Sequence, residues 1–539
     1  MASRRDELNA YSFARKRTVA SFLKPLPNGS TESAPRPMRT IVPTILLGTV
    51  ILVGFGACGL IKPVAPQGWN TPGGSVIVGD ESTTRYVVLC GVETKEGEAC
   101  PKGKDVLHPV LNLASARLVL GGKSKDVVKV KESVLDGPTA PKHGPTIGIP
   151  YAPDRLPDQE DAKTKKTWAL CERPGVNERS KAQRAVFVFG SSDRHLEKLK
   201  EDDRGALNKR EALFVEDPDG IQYLVDERGV AHKLDAAAAQ RLPGQSPLPG
   251  DRQSQQDLLR RILFGEEPPQ KVTKEWMDTV YKSPFPIVLP TVPGAGEPSS
   301  AEGVPEEHRT IGKVLESRGQ HYVVLGDELQ RVSDFVAELL IHGPVGQAAY
   351  PDETPKSIGV VEADIDPADN EGFFEEFDGR EIPWPTERAR RANTWEQEEG
   401  DRVVCSVYYG SDRKIAGKPL GVPEMSAWAG KDYPAPVNTD SGSAYVTPGS
   451  GLLYKQTAGK ATDGTLFLVT DTGLRYSVQR NNDSGSGSGN AESQEQDQAR
   501  VRLGYEGITN PPGVPKEWSS LLSAGPSLNT DDAKQPQGS

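Results

Sequence analysis

The longest apolar run, TIVPTILLGTVILVGFGACGLI from Thr40 to Ile61, is 22 residues without a charged side chain, bracketed by Arg39 and Lys62. At about 1.5 Å per residue it predicts a helix of roughly 33 Å, enough to cross a hydrocarbon core of roughly 30 Å. Pro43 falls in its first turn, where a missing N–H breaks no helix bond. A cleaved signal peptide would need a shorter apolar region nearer the start. Phe55-Gly56-Ala57 before Cys58 fits a lipoprotein box poorly because Phe55 is bulky, so Cys58 reads as a packing residue in an uncleaved anchor.

Beyond the anchor the apolar positions come in short runs broken by polar turns. Four segments share one pattern, an apolar strand, a turn, and a second apolar strand with an aromatic: Ser75–Leu89, Ala212–Val225, Lys313–Leu325 and Thr465–Val478. Asp219-Gly220 and Thr472-Gly473 are hairpin turn signals, and each hairpin is too small to be stable alone. After the second and fourth hairpins a phrase recurs, Val272-Thr273-Lys274-Glu275-Trp276 and Val514-Pro515-Lys516-Glu517-Trp518. Between the hairpins of each half lie runs that read as buried strands, around Trp168–Cys171 and Ala185–Phe189, then around Val403–Tyr409.

The body therefore predicts an α+β, β-rich fold, a hairpin–core–hairpin unit written twice, its core strands paired across a pseudo-twofold axis. The spans are a head at 1–39, the anchor at 40–61, repeat 1 at 62–150, and the first core half at 151–205. Repeat 2 at 206–282 leads to a Pro-rich linker at 283–309, expected to cross the molecule without folding. Repeat 3 at 310–345, the second core half at 346–445 and repeat 4 at 446–530 follow. A Gly/Ser and acidic insert at 481–499 and a polar tail at 531–539 are expected to be disordered. The acidic run Glu371 to Asp378 lacks an EF-hand spacing and reads as a solvated loop.

Charge sets the orientation. The head carries Arg4, Arg5, Arg15, Lys16, Arg17, Lys24, Arg36 and Arg39 against Asp6, Glu7 and Glu32. The positive-inside rule puts it in the cytosol. Taking its +5 from the chain's −11 leaves −16 for the rest, which argues against nucleic acid and against anionic lipid on the far side. Leu8, Tyr11, Val19 and Phe22 recur near helical spacing, predicting an amphipathic head helix that docks on a partner's cytosolic domain or lies on the lipid bilayer. Of five cysteines, Cys90, Cys100, Cys171 and Cys405 lie outside the membrane. An even number there favours two disulfides, with three pairings open.

The head from Arg4 to Pro25, the single anchor, the phrase LHPVLNLASARLVLG from Leu107 to Gly121 and the paired repeats together resemble the EccB family. EccB is a core membrane component of the actinobacterial type VII (ESX) secretion system. The resemblance implies a cytoplasmic-membrane subunit that assembles with EccC, EccD and EccE into a multimeric complex. Its large extracytoplasmic domain would hold four repeat units around a central β-core. The resemblance further implies a disulfide between Cys171 and Cys405, one in each core half, leaving Cys90 and Cys100 to pair locally.

Some family members are described as ATPases, so ATP is the cofactor to look for. The nearest phosphate-loop candidate is Gly122-Lys123-Ser124 after the apolar run Leu118-Val119-Leu120, but the first glycine of a complete motif is replaced by Arg117. A basic turn is the simpler reading. Seven scattered histidines form no zinc spacing, and Asp440-Ser441-Gly442 has no matching histidine context. The expectation is a structural subunit without catalytic residues or metal. An extracytoplasmic ATPase and a cell-wall-binding repeat module are the alternatives.

Overall fold

The computed structural model describes residues 3–537 apart from 24–37, 62–64, 93–98, 122–125, 176–180, 201–204, 237–250, 369–372, 374–375, 378–379, 382–383, 395–401, 416–417, 438–442, 459–463 and 479–497. Two compact units result, one of 1–69, 79–83 and 128–140, the other of 70–78, 84–127 and 141–539.

The first unit contains the helices Arg4–Leu23 and Met38–Ile61. In the head helix, the roughly 100° turn per residue puts Phe13 opposite the stripe of Leu8, Tyr11, Val19 and Phe22 and puts Arg15 within it. Its amphipathic pattern is therefore weaker than the spacing suggests, and all five apolar residues are exposed. Among the described residues no helix is long and apolar enough to cross a membrane. The described side chains of Met38–Ile61 run unbroken only over 41–53, about 20 Å of helix. The unit also holds a turn whose Glu81 and Ser82 N–H groups donate to the Glu132 carboxylate at 3.0 and 2.8 Å. The hydrogen bond from Ser82 leads the effects that hold that carboxyl below the usual range.

The second unit is β-rich. Its central sheet runs Lys418–Gly430, Val403–Ile415, Thr167–Arg173, Gln183–Phe189, Ser443–Val446. Alternation sends Trp168, Leu170, Val186, Val188, Val404 and Tyr408 to one face and Ala169, Cys171, Phe187, Phe189, Cys405 and Val407 to the other. Both faces are covered, which is why these strands read as unbroken apolar runs. The two longest strands pair with each other beyond Tyr408, the last residue of their ladder with Thr167–Arg173.

Four further sheets each contain one of the expected hairpins. They are Val76–Gly79 with Arg85–Cys90, Glu211–Glu216 with Gln222–Val225, Val314–Ser317 with Gln320–Val324, and Leu466–Val469 with Leu474–Ser477. A further antiparallel strand makes each a meander: Asp105–Val110, Val230–Lys233, Leu329–Val332 and Leu452–Thr457 respectively. Gly220 and Gly473 take φ of 79° and 77° in their turns, a region open to glycine at little steric cost. The third sheet draws its parallel edge strand from Ile358–Gly359, beyond the expected span of that repeat. The first and fourth sheets share one core, the second and third another.

Two segments expected to be unstructured are folded. In 283–309, Ile287, Val288 and Leu289 are fully buried, and Ile287 N–H donates to Lys233 O at 2.8 Å, because three consecutive apolar residues outweigh the prolines around them. In 531–539, the helix Thr530–Lys534 buries Ala533 under an Asn529 cap, and Gln537 bonds the backbone carbonyls of Thr146 and Gly148. The insert 481–499 lies outside the described residues except for 498 and 499, and Ala499 is buried. Most of Glu371 to Asp378 also lies outside them, although Glu376–Phe377 pairs with Arg380–Glu381.

Candidate functional site at the central seam

The two halves of the chain meet where Thr167–Arg173 pairs antiparallel with Val403–Ile415, placing Cys171 directly opposite Cys405. They form a disulfide with Cα atoms 4.0 Å apart, fully buried and closing a separation of 234 residues. Cys90 and Cys100 form the second disulfide across a separation of 10.

Next to Cys171, Glu172 points to the opposite face and is almost fully buried. Its carboxylate accepts the Thr273 N–H at 2.9 Å and a short hydrogen bond from the Thr273 hydroxyl. Burial pushes the Glu172 carboxyl above its ordinary value, with these hydrogen bonds and Arg184 opposing. Thr273 caps the helix Lys274–Thr279 through the Trp276 N–H. A buried carboxylate of the core strand thus fixes the first Lys-Glu-Trp phrase, and Ser406 Oγ donates to Thr279 O at the other end.

The second phrase forms the helix Lys516–Ser519, beginning after Pro515 with no side-chain cap. Ser519 Oγ lies 2.7 Å from Tyr454 Oη and donates to Gln456 Oε1, and Arg475 Nη1 donates to both Gln456 and Ser519. Burial pushes the Tyr454 phenol up to about 12. Trp276 and Trp518 enter one core over the sheet, with Trp518 5.7 Å from the Tyr408 ring and Trp168 6.0 Å from Tyr454. The Nε1–H groups of Trp168 and Trp276 find no acceptor among the described residues. A polar cleft of about 370 Å³ lies between the helices, lined by Arg184, Glu275, Asp278, Lys516, Glu517, Ser520 and Leu521.

An ion pair between a buried lysine and a half-buried aspartate adds a third tie. Lys166 Nζ donates to Asp161 Oδ1 at 2.6 Å, and the same carboxylate accepts Ser450 Oγ and the Gly451 N–H, just before the strand Leu452–Thr457, at 2.8 Å each. Arg117 donates to Leu503 O while Arg502 donates to Leu118 O, a reciprocal bond between segments almost four hundred residues apart.

Gly122, Lys123 and Ser124 lie outside the described residues. Before them stands the helix Leu113–Leu120, capped by Asn112, and after them the strand Val127–Val130. A phosphate-binding loop uses the opposite order, strand then loop then helix N-terminus. Among the described residues no three His, Cys, Asp or Glu are placed to hold a metal.

Glu172, Tyr454 and Asp161 were not singled out by the sequence. Thr273, four residues before Met277 in a short polar–apolar phrase, carried a capping signal that could have been read. The seam combines a cross-link, caps and buried aromatics, the chemistry of a joint that fixes two halves against each other.

Residues 1–538 match the family described as "Type VII secretion system ESX-1, transport TM domain B". The chain is 26% identical over 569 residues to "ESX-3 secretion system ATPase EccB3" of Mycobacterium tuberculosis (strain ATCC 25618 / H37Rv), covering 98% of this chain and 88% of the relative. It is 25% identical over 515 residues to "ESX-1 secretion system ATPase EccB1" of Mycolicibacterium smegmatis (strain MKD8), covering 92% and 87%. In fold it is similar to a chain of "Structure of EccB3 dimer from the ESX-3 core complex", with TM-score 0.51, 21% identity, and coverage of 85% of this chain and 99% of that one. It is likewise similar to a chain of "Structure of the periplasmic assembly from the ESX-5 inner membrane complex, C1 model", with TM-score 0.50, 20% identity, and coverage of 88% and 99%.

Proposed function

Because the chain belongs to the EccB family of type VII secretion proteins, we propose that it is a core structural subunit of an ESX secretion complex in the cytoplasmic membrane. The observation that carries this reading is the match over residues 1–538, head, anchor and β-rich body together. In this reading Met38–Ile61 spans the bilayer once, the basic head stays cytosolic, and the β-rich unit stands outside. The exposed apolar side chains from Ile41 to Val53 support a lipid environment, since water opposes a patch of that size. EccC, EccD and EccE are the proposed partners, and several copies of this chain take part. The four meanders, the recurring Lys-Glu-Trp phrase and the seam between core strands support an internal duplication whose task is scaffolding.

The test is purification of the full-length protein in mild detergent with identification of co-purifying membrane proteins. Recovery with EccC, EccD and EccE is expected, and recovery as a lone monomer sinks the reading.

A second reading, ATP hydrolysis, is favoured by the word ATPase in the names of the relatives. Turnover by the purified protein that disappears in Lys123→Ala would sustain it. Turnover absent, or unchanged in that variant, removes the Gly122-Lys123-Ser124 loop from consideration.

A further inference from the structure

Tyr151 combines two costly properties. Its φ is 62°, in the left-handed region that L side chains avoid, and it is 88% exposed. Ala152 N–H bonds Ile149 O across Pro150 and Tyr151. Proline second and positive φ third mark a type II turn, whose third place normally takes Gly or Asn.

The turn is held from beneath. Buried Asn112 donates to Ile149 O at 2.7 Å, buried Ser115 Oγ accepts the Ile149 N–H at 2.8 Å, and Asp154 accepts the Leu113 N–H and Arg85. Ile149 and Ala152 on either side are buried, while Pro150 and Tyr151 at the tip of the turn are exposed. Strain of this kind persists where the surroundings over-determine it and points to a function at the strained residue. A rigid, exposed tyrosine is the side-chain type that anchors protein interfaces.

The same chain carries a cavity that suits it. Between the helices Arg252–Phe264 and Asp334–His342 and the strand Arg390–Arg391, about 170 Å³ is lined by residues including Ile262, Phe335, Glu338, Arg388 and Ala389. Phe335 and Ala389 are buried and give an apolar floor. Arg388 stands at the rim with Nη2 3.0 Å from Glu338, whose side chain is only 14% exposed. An aromatic ring on that floor would lie within reach of a guanidinium, and a phenol would find a carboxylate acceptor.

Resting on the proposed multimeric role, we infer that Tyr151 of one copy seats in this cavity of a second copy of the chain. Knob and hole are built from different elements, so the contact joins unlike surfaces and closes either as a reciprocal pair or as a ring.

The test uses full-length protein in detergent with Cys58→Ser as background. Tyr151→Gly relieves the backbone strain while deleting the ring, so its melting temperature should hold or rise. Its self-association should weaken at least tenfold by light scattering or sedimentation, and Ala389→Leu, which fills the hole, should do the same. Mixed Tyr151→Cys and Arg388→Cys proteins should form an intermolecular disulfide under mild oxidation. Self-association unchanged in Tyr151→Gly, or no disulfide in the mixed sample, overturns the inference. If such variants still co-purify with other secretion subunits, the scaffold reading stands without it.

Discussion

The helices Lys274–Thr279 and Lys516–Ser519 share the Lys-Glu-Trp wording and seat their tryptophans in one core, yet their starts are held differently. The first is capped by Thr273, itself gripped by Glu172 from the central sheet. The second follows Pro515 without a cap and is held from its far end by Ser519, Tyr454 and Arg475. Similar sequence conserves the anchor that packs, while the polar attachment is remade by whichever strand lies underneath. The first helix is bound to a strand of the central sheet, the second to the meander that carries Tyr454 and Arg475.

The largest expected effect tests whether the halves need their cross-link to bring both helices to one face. Replacing Cys171 and Cys405 by serine should lower unfolding free energy by about 5 kcal/mol in the chain-entropy account, against about 3 for Cys90 and Cys100. Denaturant unfolding of the purified protein measures both, and equal losses would place the main constraint elsewhere. Next, Trp276→Ala and Trp518→Ala should each cost about 3–5 kcal/mol. Because they share a core, the double variant should depart from the sum of the two by more than about 0.5 kcal/mol, and strict additivity would show that the helices act separately.

Thr273→Ala should cost about 1–2 kcal/mol or more, since it removes a cap and strips a buried carboxylate of its hydroxyl partner. Pro515→Ala, at the uncapped counterpart, should stay within about 0.5 kcal/mol. Equal losses at both positions would erase the contrast. The smallest effect is in pH dependence. The Glu172 carboxyl is raised above 4.5 in the folded protein. Its contribution is therefore fully present below the unfolded pKa and lost as pH rises through the higher folded value. Glu172→Gln should flatten that decline above pH 4.5, and an unchanged slope would assign it to other groups.

The hairpins were legible because their information is local: alternating apolar residues with Asp219-Gly220 or Thr472-Gly473 between them need no distant partner. The buried core strands were legible for a similar reason, since Ala185–Phe189 is apolar on both faces. The folded linker was not, because prolines dominate its composition and the burial of Ile287–Leu289 depends on a strand more than fifty residues earlier. The tail was missed because one alanine, Ala533, makes its apolar contact, and its other bonds go to backbone groups near residue 147. The helix Leu113–Leu120 hid inside a phrase read for its wording, although Asn112 and Ser115 stand at capping spacing. The seam's polar partners, Glu172 with Thr273 and Asp161 with Ser450, join residues about 100 and 289 positions apart, beyond any local pattern.

Gln537 bonding to Thr146 and Gly148 sets a timetable for the newborn chain. The earliest meander to leave the ribosome obtains its neighbour only after almost four hundred further residues have been made and, in the proposed topology, delivered across the bilayer. Until then the first meander displays its half of a shared apolar core, an invitation to chaperones and proteases. Truncation ahead of residue 530 should consequently damage the beginning of the body as much as its end.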